Sequence, residues 1–325
     1  MPRQARLDAP GTLHHVIVRG IERRKIFEDD DDRNAFISRM GSLASEEQTS
    51  LYAWALMPNH LHILLRSGVL GLPKYMRRLL TGYAVTYNRR HRRYGHLFQN
   101  RYKSILCEED TYFTELVRYI HLNPLRAKLV EGLSSLERYP WCGHGVLTGR
   151  FNKEWQDRDY VLSWFGKREG DAKAAYRKYV EAGVSQGRRP ELVGGGLIRS
   201  QGGWSQVLSM RARRIREASD ERILGSGDFV ERVIQEADQN FQRMIQGRKR
   251  KREIDGFMKK ICEKEGVSQK ELQSGSRRAL VSSVRSCLAL GMIRDGFPLA
   301  ETARQLGVST SGIAKLLARN ESKST

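Results

Sequence analysis

The chain has 325 residues, with 57 Lys and Arg against 37 Asp and Glu and a formal net charge of +20, and its pI is near 10.1. That length predicts two or three units with a sizeable core, and the charge favours a polyanionic partner, nucleic acid first. A membrane span is excluded because no apolar run approaches about 18 residues. A basic membrane-surface protein is disfavoured because no basic helix with a clear apolar face stands apart from the folded segments. The first residues lack the apolar core of a secretory signal, so the expected location is the cytoplasm. Cys107, Cys142, Cys262 and Cys287 are far apart and form no C-x-x-C pair, which predicts reduced, mostly buried thiols rather than a zinc knuckle or a disulfide framework.

In chain order, Thr12–Gly20 alternates as a first strand. The acidic run Glu28–Asp32 reads as the solvated, capped start of a helix through about Leu43 rather than as a metal cluster. Leu51–Met57 and His60–Ser67 read as an antiparallel pair across a Pro58-Asn59 turn. A helix is predicted from Leu72 to about Arg90, a fourth strand over Leu97–Leu106, and a helix capped by Asp110 or Thr111 and ended by Pro124. This order suits an α+β fold, a ferredoxin-like antiparallel sheet with helices on one side.

Chemistry concentrates at two places. Alternation on the strand projects His60 and His62 from one face, with Leu61 and Ile63 on the other. Tyr119 and Asn123 stand four apart on the last predicted helix, in its last turn and on one face. Two imidazoles and an amide oxygen can hold a divalent ion with open positions, Mg²⁺ or Mn²⁺ by the mixed donor set, and such an ion orients a phosphate for attack. The attacker would be the Tyr119 hydroxyl. Attack on a DNA phosphodiester would leave a phosphotyrosine and a free 3′-OH, storing the bond energy for resealing. Taken alone, a His-x-His pair on a strand also reads as two half-buried polar residues, and a helical tyrosine as packing. His121 lies two positions, about 160° around the helix, from both Tyr119 and Asn123 and is not counted as a ligand.

The histidine pair around one bulky apolar residue is similar to the motif of the HUH nucleases. The blocks HHVIVRG, IFEDDDDRNAFI, YAWALMPNHLHILL, GHLFQNRYKSILCEEDTYF and LVRYIHLNPLRAKLV resemble those of the REP-associated tyrosine transposases, over roughly the first 145 residues and in that family's order. The resemblance implies the same α+β fold, His60, His62 and Asn123 as metal ligands and Tyr119 as nucleophile. It also implies single-stranded DNA at hairpins of repetitive extragenic palindromes as substrate.

Between Arg77 and Lys103, basic residues alternate with Tyr83, Tyr87, Tyr94, Phe98 and Tyr102. Arg77, Arg78, Arg89, Arg90, Arg101 and Lys103 are candidate backbone contacts, with Arg101 and Lys103 on one face of the fourth strand. The rings read equally as stacking platforms or as core. Domains are expected at 1–145, 146–225 (a helical region and linker, including the loop Gly194-Gly195-Gly196) and 226–325. In the last, Phe229–Gln246 and Ile254–Glu265 read as separate helices joined by the basic run that contains Arg248, Lys249 and Arg250, candidate phosphate contacts. From about Glu253 the sequence resembles the C-terminal DNA-binding domain of the replication initiator DnaA. Its last part, Pro298–Leu317, has helix-turn-helix pattern, with Ala303 and Leu306 packing on Ile313 and Leu316. Ser309, Thr310, Ser311 and Lys315 would face a groove, although Ser309 also reads as a helix cap. Two functions therefore stand. One is a metal-dependent DNA strand transferase. The other is a domesticated relative that binds DNA without cutting it. The oligomeric state is left open.

Overall fold

The structure, a computed structural model, describes residues 7–187, 189–193, 218–274, 276, 278–295 and 297–321, with side chains described except at 240–254, 300 and 317–321. It divides into two units, Met1–Ala237 and Asp238–Thr325. The loop Gly194-Gly195-Gly196 lies outside the described residues.

The first unit is built on a five-stranded sheet of order β2-β3-β1-β4-β5. β1 (Leu13–Arg19), β2 (Ser50–Met57), β3 (His60–Arg66) and β4 (Lys103–Cys107) are antiparallel to their neighbours, and β5 (Ile223–Leu224) joins β4 in parallel. With α1 (Asp30–Glu46) after β1 and α2 (Leu72–Arg90) after β3, the first part follows the predicted βαββαβ order of a ferredoxin-like sheet.

Alternation sorts the strands into two faces. Val16, Val18, Trp54, Leu56, Leu61 and Ile63 pack on one side against Phe36 and Met40 of α1 and Tyr75, Leu79 and Tyr83 of α2. Asp29 caps α1 by accepting from the Asp32 amide at 3.0 Å, as the acidic run predicts. The opposite face, with Ile17, Ala55, Met57, Leu64 and Ile105, packs against Phe113, Leu116, Val117 and Ile120 of α3 (Glu109–His121). Helices therefore lie on both sides of the sheet. The expected one-sided layer holds for α1 and α2, but β1 is buried on both faces, so the opposite face is covered as well.

That second layer continues past residue 145. Val161, Tyr176 and Val180, from the helices Arg158–Ser163 and Glu169–Ala182, belong to the same core. The β2 edge is closed by the Leu56 amide on the Trp141 carbonyl (2.9 Å), the Asp157 amide on the Leu51 carbonyl (2.8 Å) and the Trp54 indole on Gln156 Oε1 (2.8 Å).

Three boundaries differ from expectation. β4 begins at Lys103 rather than Leu97, because Leu97 and Gln99 bond instead to Ile21 and Arg19 at the end of β1. Arg101 is thus outside the strand and does not share its face with Lys103. α3 starts at Glu109 with no side-chain cap and ends at His121, so Asn123 opens the next turn, Asn123–Arg126, instead of closing α3. Pro124 is the cause: it is accepted in a first turn but not inside a helix. Finally, the two helices expected around the basic run are one helix, Gly227–Lys264, within which the unit boundary falls. Lys and Arg are good helix formers, and Gly247 alone does not interrupt it. Arg248, Lys249 and Arg250 lie on it, with side chains outside those described.

In the second unit Met258, Leu272, Val284, Leu288, Ala303, Leu306 and Ile313 form one core, with Leu316 packed against it. The helices Leu299–Leu306 and Thr310–Glu321 are joined through Gly307 at φ 66°. A Cβ at Gly307 would meet the Gln273 carbonyl oxygen at 2.2 Å, so the turn requires glycine.

Candidate functional site

β1 and β3 pair with Ile17 opposite His62 and Arg19 opposite His60. His15, Ile17 and Arg19 therefore share a face with His60 and His62, and His15 reaches His62 along the diagonal. The two rings stack with centroids 5.1 Å apart, and His15 Nε2 lies 2.8 Å from His62 Nδ1. His15 Nδ1 in turn lies 3.0 Å from the Leu192 carbonyl oxygen. The His60 and His62 rings are 5.5 Å apart, edge to face, and His60 Nδ1 lies 2.7 Å from Asn59 Oδ1.

Burial keeps this cluster uncharged. It lowers the pKa of His15 to about 4 and, with the Arg19 charge, that of His60 to about 4. His62 is held well below the ordinary value by burial first, then by His15, His60 and Arg19. Neutral rings offer lone pairs at neutral pH.

α3 presents the half-buried Tyr119 edge-on to both inner histidines, its ring centroid 5.8 Å from His62 and 5.9 Å from His15. The Arg126 guanidinium stands 5.5 Å over the phenol ring. Burial raises the Tyr119 pKa, and the charges of Arg126 and Arg19 oppose that rise. Asn123 is half-buried, and its Nδ2 is buried with no hydrogen-bond partner.

The donor set fits a divalent ion. Each histidine spends Nδ1 on a neighbour, and among the described residues Nε2 of His60 and of His62 makes no hydrogen bond. Asn123 Nδ2 is buried without a partner, and the carboxamide oxygen is the candidate third donor, with O and N assigned by convention. A second group, Asp29, Asp32 and His91, also has converging ligand atoms. There, however, Arg90 donates to Asp29 and to Asp32, each at 2.6 Å, and His91 Nε2 lies 2.9 Å from Asp32. A guanidinium already neutralises those carboxylates, so the group is an ion-pair network at the start of α1.

The candidate nucleic-acid contacts divide. Arg78 is held by Glu46 and Glu47, each at 2.8 Å, Arg90 by Asp29, Asp31 and Asp32, and Lys103 Nζ donates to the Val193 carbonyl at 2.7 Å. Ser309 Oγ accepts from the Gly312 amide at 3.1 Å and so caps its helix. Arg77, Arg89, Arg101, Thr310, Ser311 and Lys315 are exposed. Of the rings in the basic stretch, Tyr83, Tyr87 and Tyr102 are core and Tyr94 is 94 % exposed. His15, Arg19, Arg126 and Leu192 escape the sequence reading. Period-2 alternation does link His15 to Arg19, but nothing local says that they face His62.

Residues 11–123 match the family model described as "Transposase IS200 like". The match begins just before β1 and ends at Asn123, so it takes in the histidine strand and the tyrosine helix and covers roughly a third of the chain. Among solved structures, the chain is similar to a REP-associated tyrosine transposase bound to a REP hairpin, with 13% identity, 49% of this chain and 98% of that one covered, and a TM-score of 0.40. It is also similar to a candidate transposase of Deinococcus radiodurans R1, with 17% identity, 35% and 92% covered, and a TM-score of 0.27. No curated protein matches.

Proposed function

We propose that this protein is a metal-dependent, single-tyrosine DNA strand transferase that cuts single-stranded DNA at hairpins of REP-type palindromes. The observation that carries the reading is the edge-on approach of Tyr119 to His62 of its own chain, across from two uncharged imidazoles with unused Nε2 atoms. The match to IS200-like transposases supports the same class of chemistry.

In this reading His60, His62 and Asn123 hold a divalent ion, Mg²⁺ or Mn²⁺, which when bound polarises the scissile phosphate and sets it in line. Tyr119 Oη forms the new bond to phosphorus, the bond to the 3′-oxygen breaks, and the phenolic proton passes through solvent to that oxygen. The product is a 5′-phosphotyrosine with a free 3′-OH. Arg126 and Arg19 favour the developing phenolate against the penalty of burial. Tyr119 faces the histidines of its own chain, an arrangement in which a monomer would suffice for cleavage. The exposed Arg77, Arg89 and Arg101 would track the strand, and the C-terminal helix pair, DnaA-like by sequence, would add duplex affinity through Thr310, Ser311 and Lys315.

The test is covalent capture. Labelled single-stranded hairpins from palindromes near the gene, incubated with Mn²⁺, should yield an adduct stable on a denaturing gel and absent from Tyr119→Phe, which still binds. His62→Ala should lower cleavage at limiting Mn²⁺ by on the order of 10²-fold or more. Tight hairpin binding with no adduct across many sequences would instead favour the non-cutting DNA-binding protein.

A further inference from the structure

A metal ligand must present a lone pair, so each histidine that would bind through Nε2 must carry its proton on Nδ1. For His60 the device is local. Asn59 Nδ2 donates to the Arg23 carbonyl at 3.1 Å, which turns Oδ1 toward His60 Nδ1. An amide oxygen only accepts, so His60 is Nδ1–H.

For His62 the device is long-range. The Leu192 carbonyl can only accept, so the His15 nitrogen facing it, Nδ1, carries the proton. His15 is 0% exposed and therefore uncharged, which leaves its Nε2 as an acceptor. His62 Nδ1, 2.8 Å away, must then donate, and the His62 lone pair falls on Nε2. We infer that His15 and the Leu192 carbonyl form a proton-ordering relay that fixes His62 in its metal-binding tautomer.

His15 is thus a positioning residue. Its terminal acceptor belongs to the segment Pro190–Val193, beyond the stretch matched to the transposase model and anchored on β4 by Lys103 Nζ at the Val193 carbonyl. A segment of the second helical layer therefore sets the state of a ligand on the matched sheet.

The inference rests on the proposed metal site but can be tested apart from it. In metal-free, full-length protein labelled with ¹⁵N-histidine, two-bond couplings report the His62 tautomer, with His62→Ala supplying the assignment. Wild-type should show Nδ1–H. His15→Leu removes the acceptor and should shift His62 toward Nε2–H, with Mn²⁺ affinity falling about 10–100-fold. His15→Gln, whose Oε1 can accept from Nδ1, should keep the tautomer and stay within a few-fold of wild-type affinity. A wild-type His62 found as Nε2–H would overturn the relay, as would a folded His15→Leu that keeps both tautomer and affinity. Wild-type protein that binds no Mn²⁺ while His62 is Nδ1–H would instead overturn the metal assignment.

Discussion

His15 and His144 are buried and their pKa values are lowered to about 4, against about 6.5 in the unfolded chain. Between those values the unfolded state binds more protons, so stability is complete above pH 6.5 and is lost progressively as pH falls toward 4. The shift at each fully buried ring corresponds to about 3 kcal/mol. The melting temperature should therefore decline steeply below pH 6 and stay flat from 7 to 8. A flat profile down to pH 4.5 would contradict the buried, neutral assignment. Tyr176 bridges His144 and the buried His121, its hydroxyl 2.8 Å from His121 Nδ1 and 2.7 Å from His144 Nδ1. Tyr176→Phe strands both polar atoms and should cost about 1–3 kcal/mol, read by urea unfolding, without altering the tyrosine site.

At the scale of elements, α2 carries both ion-paired arginines, Arg78 and Arg90, and exposed ones, Arg77 and Arg89. Arg90 holds the start of α1 through the buried Asp32, so Arg90→Ala should lower the melting temperature. Arg89, exposed on the adjoining position, has no such duty, and Arg89→Ala should weaken DNA binding at unchanged stability. Beyond them Tyr94 stands free of the core at 94 % exposure, while Leu97 and Gln99 tie the loop to the end of β1 that carries Arg19. In the proposed function a ring there would stack on an unpaired base. Tyr94→Ala should reduce affinity for single-stranded hairpins by about 1–3 kcal/mol and leave duplex binding unchanged. Equal losses on both substrates, measured by fluorescence anisotropy, would remove the stacking role.

For the whole molecule the net charge of +20 makes binding to any nucleic acid salt-dependent, and the slope of affinity against salt counts phosphate contacts. Lys315 lies exposed on the last helix. If that helix meets duplex, Lys315→Ala should reduce the duplex salt slope by about one while hairpin cleavage continues. An unchanged slope would assign duplex affinity elsewhere. Among the described residues no helix is long and apolar enough to cross a membrane, in keeping with the absence of a long apolar run.

Period and composition alone determined the strand bearing His60 and His62, the helix bearing Tyr119, the βαββαβ order and the basic, aromatic-rich stretch, because each is written in residues only a few positions apart. The sequence could not separate Arg77 and Arg89 from Arg78 and Arg90, since whether an arginine meets a carboxylate depends on how α2 lies against α1. Nor could it show that helices after residue 145 close the second face of the sheet, or that β1 falls beside β3 and not beside β2. That pairing brings His15 to His62, and the chain returns 177 positions later to supply the Leu192 carbonyl. Register and long-range packing are decided by burial summed over the whole sheet, and the contacts that order the proton on His62 arise at that level.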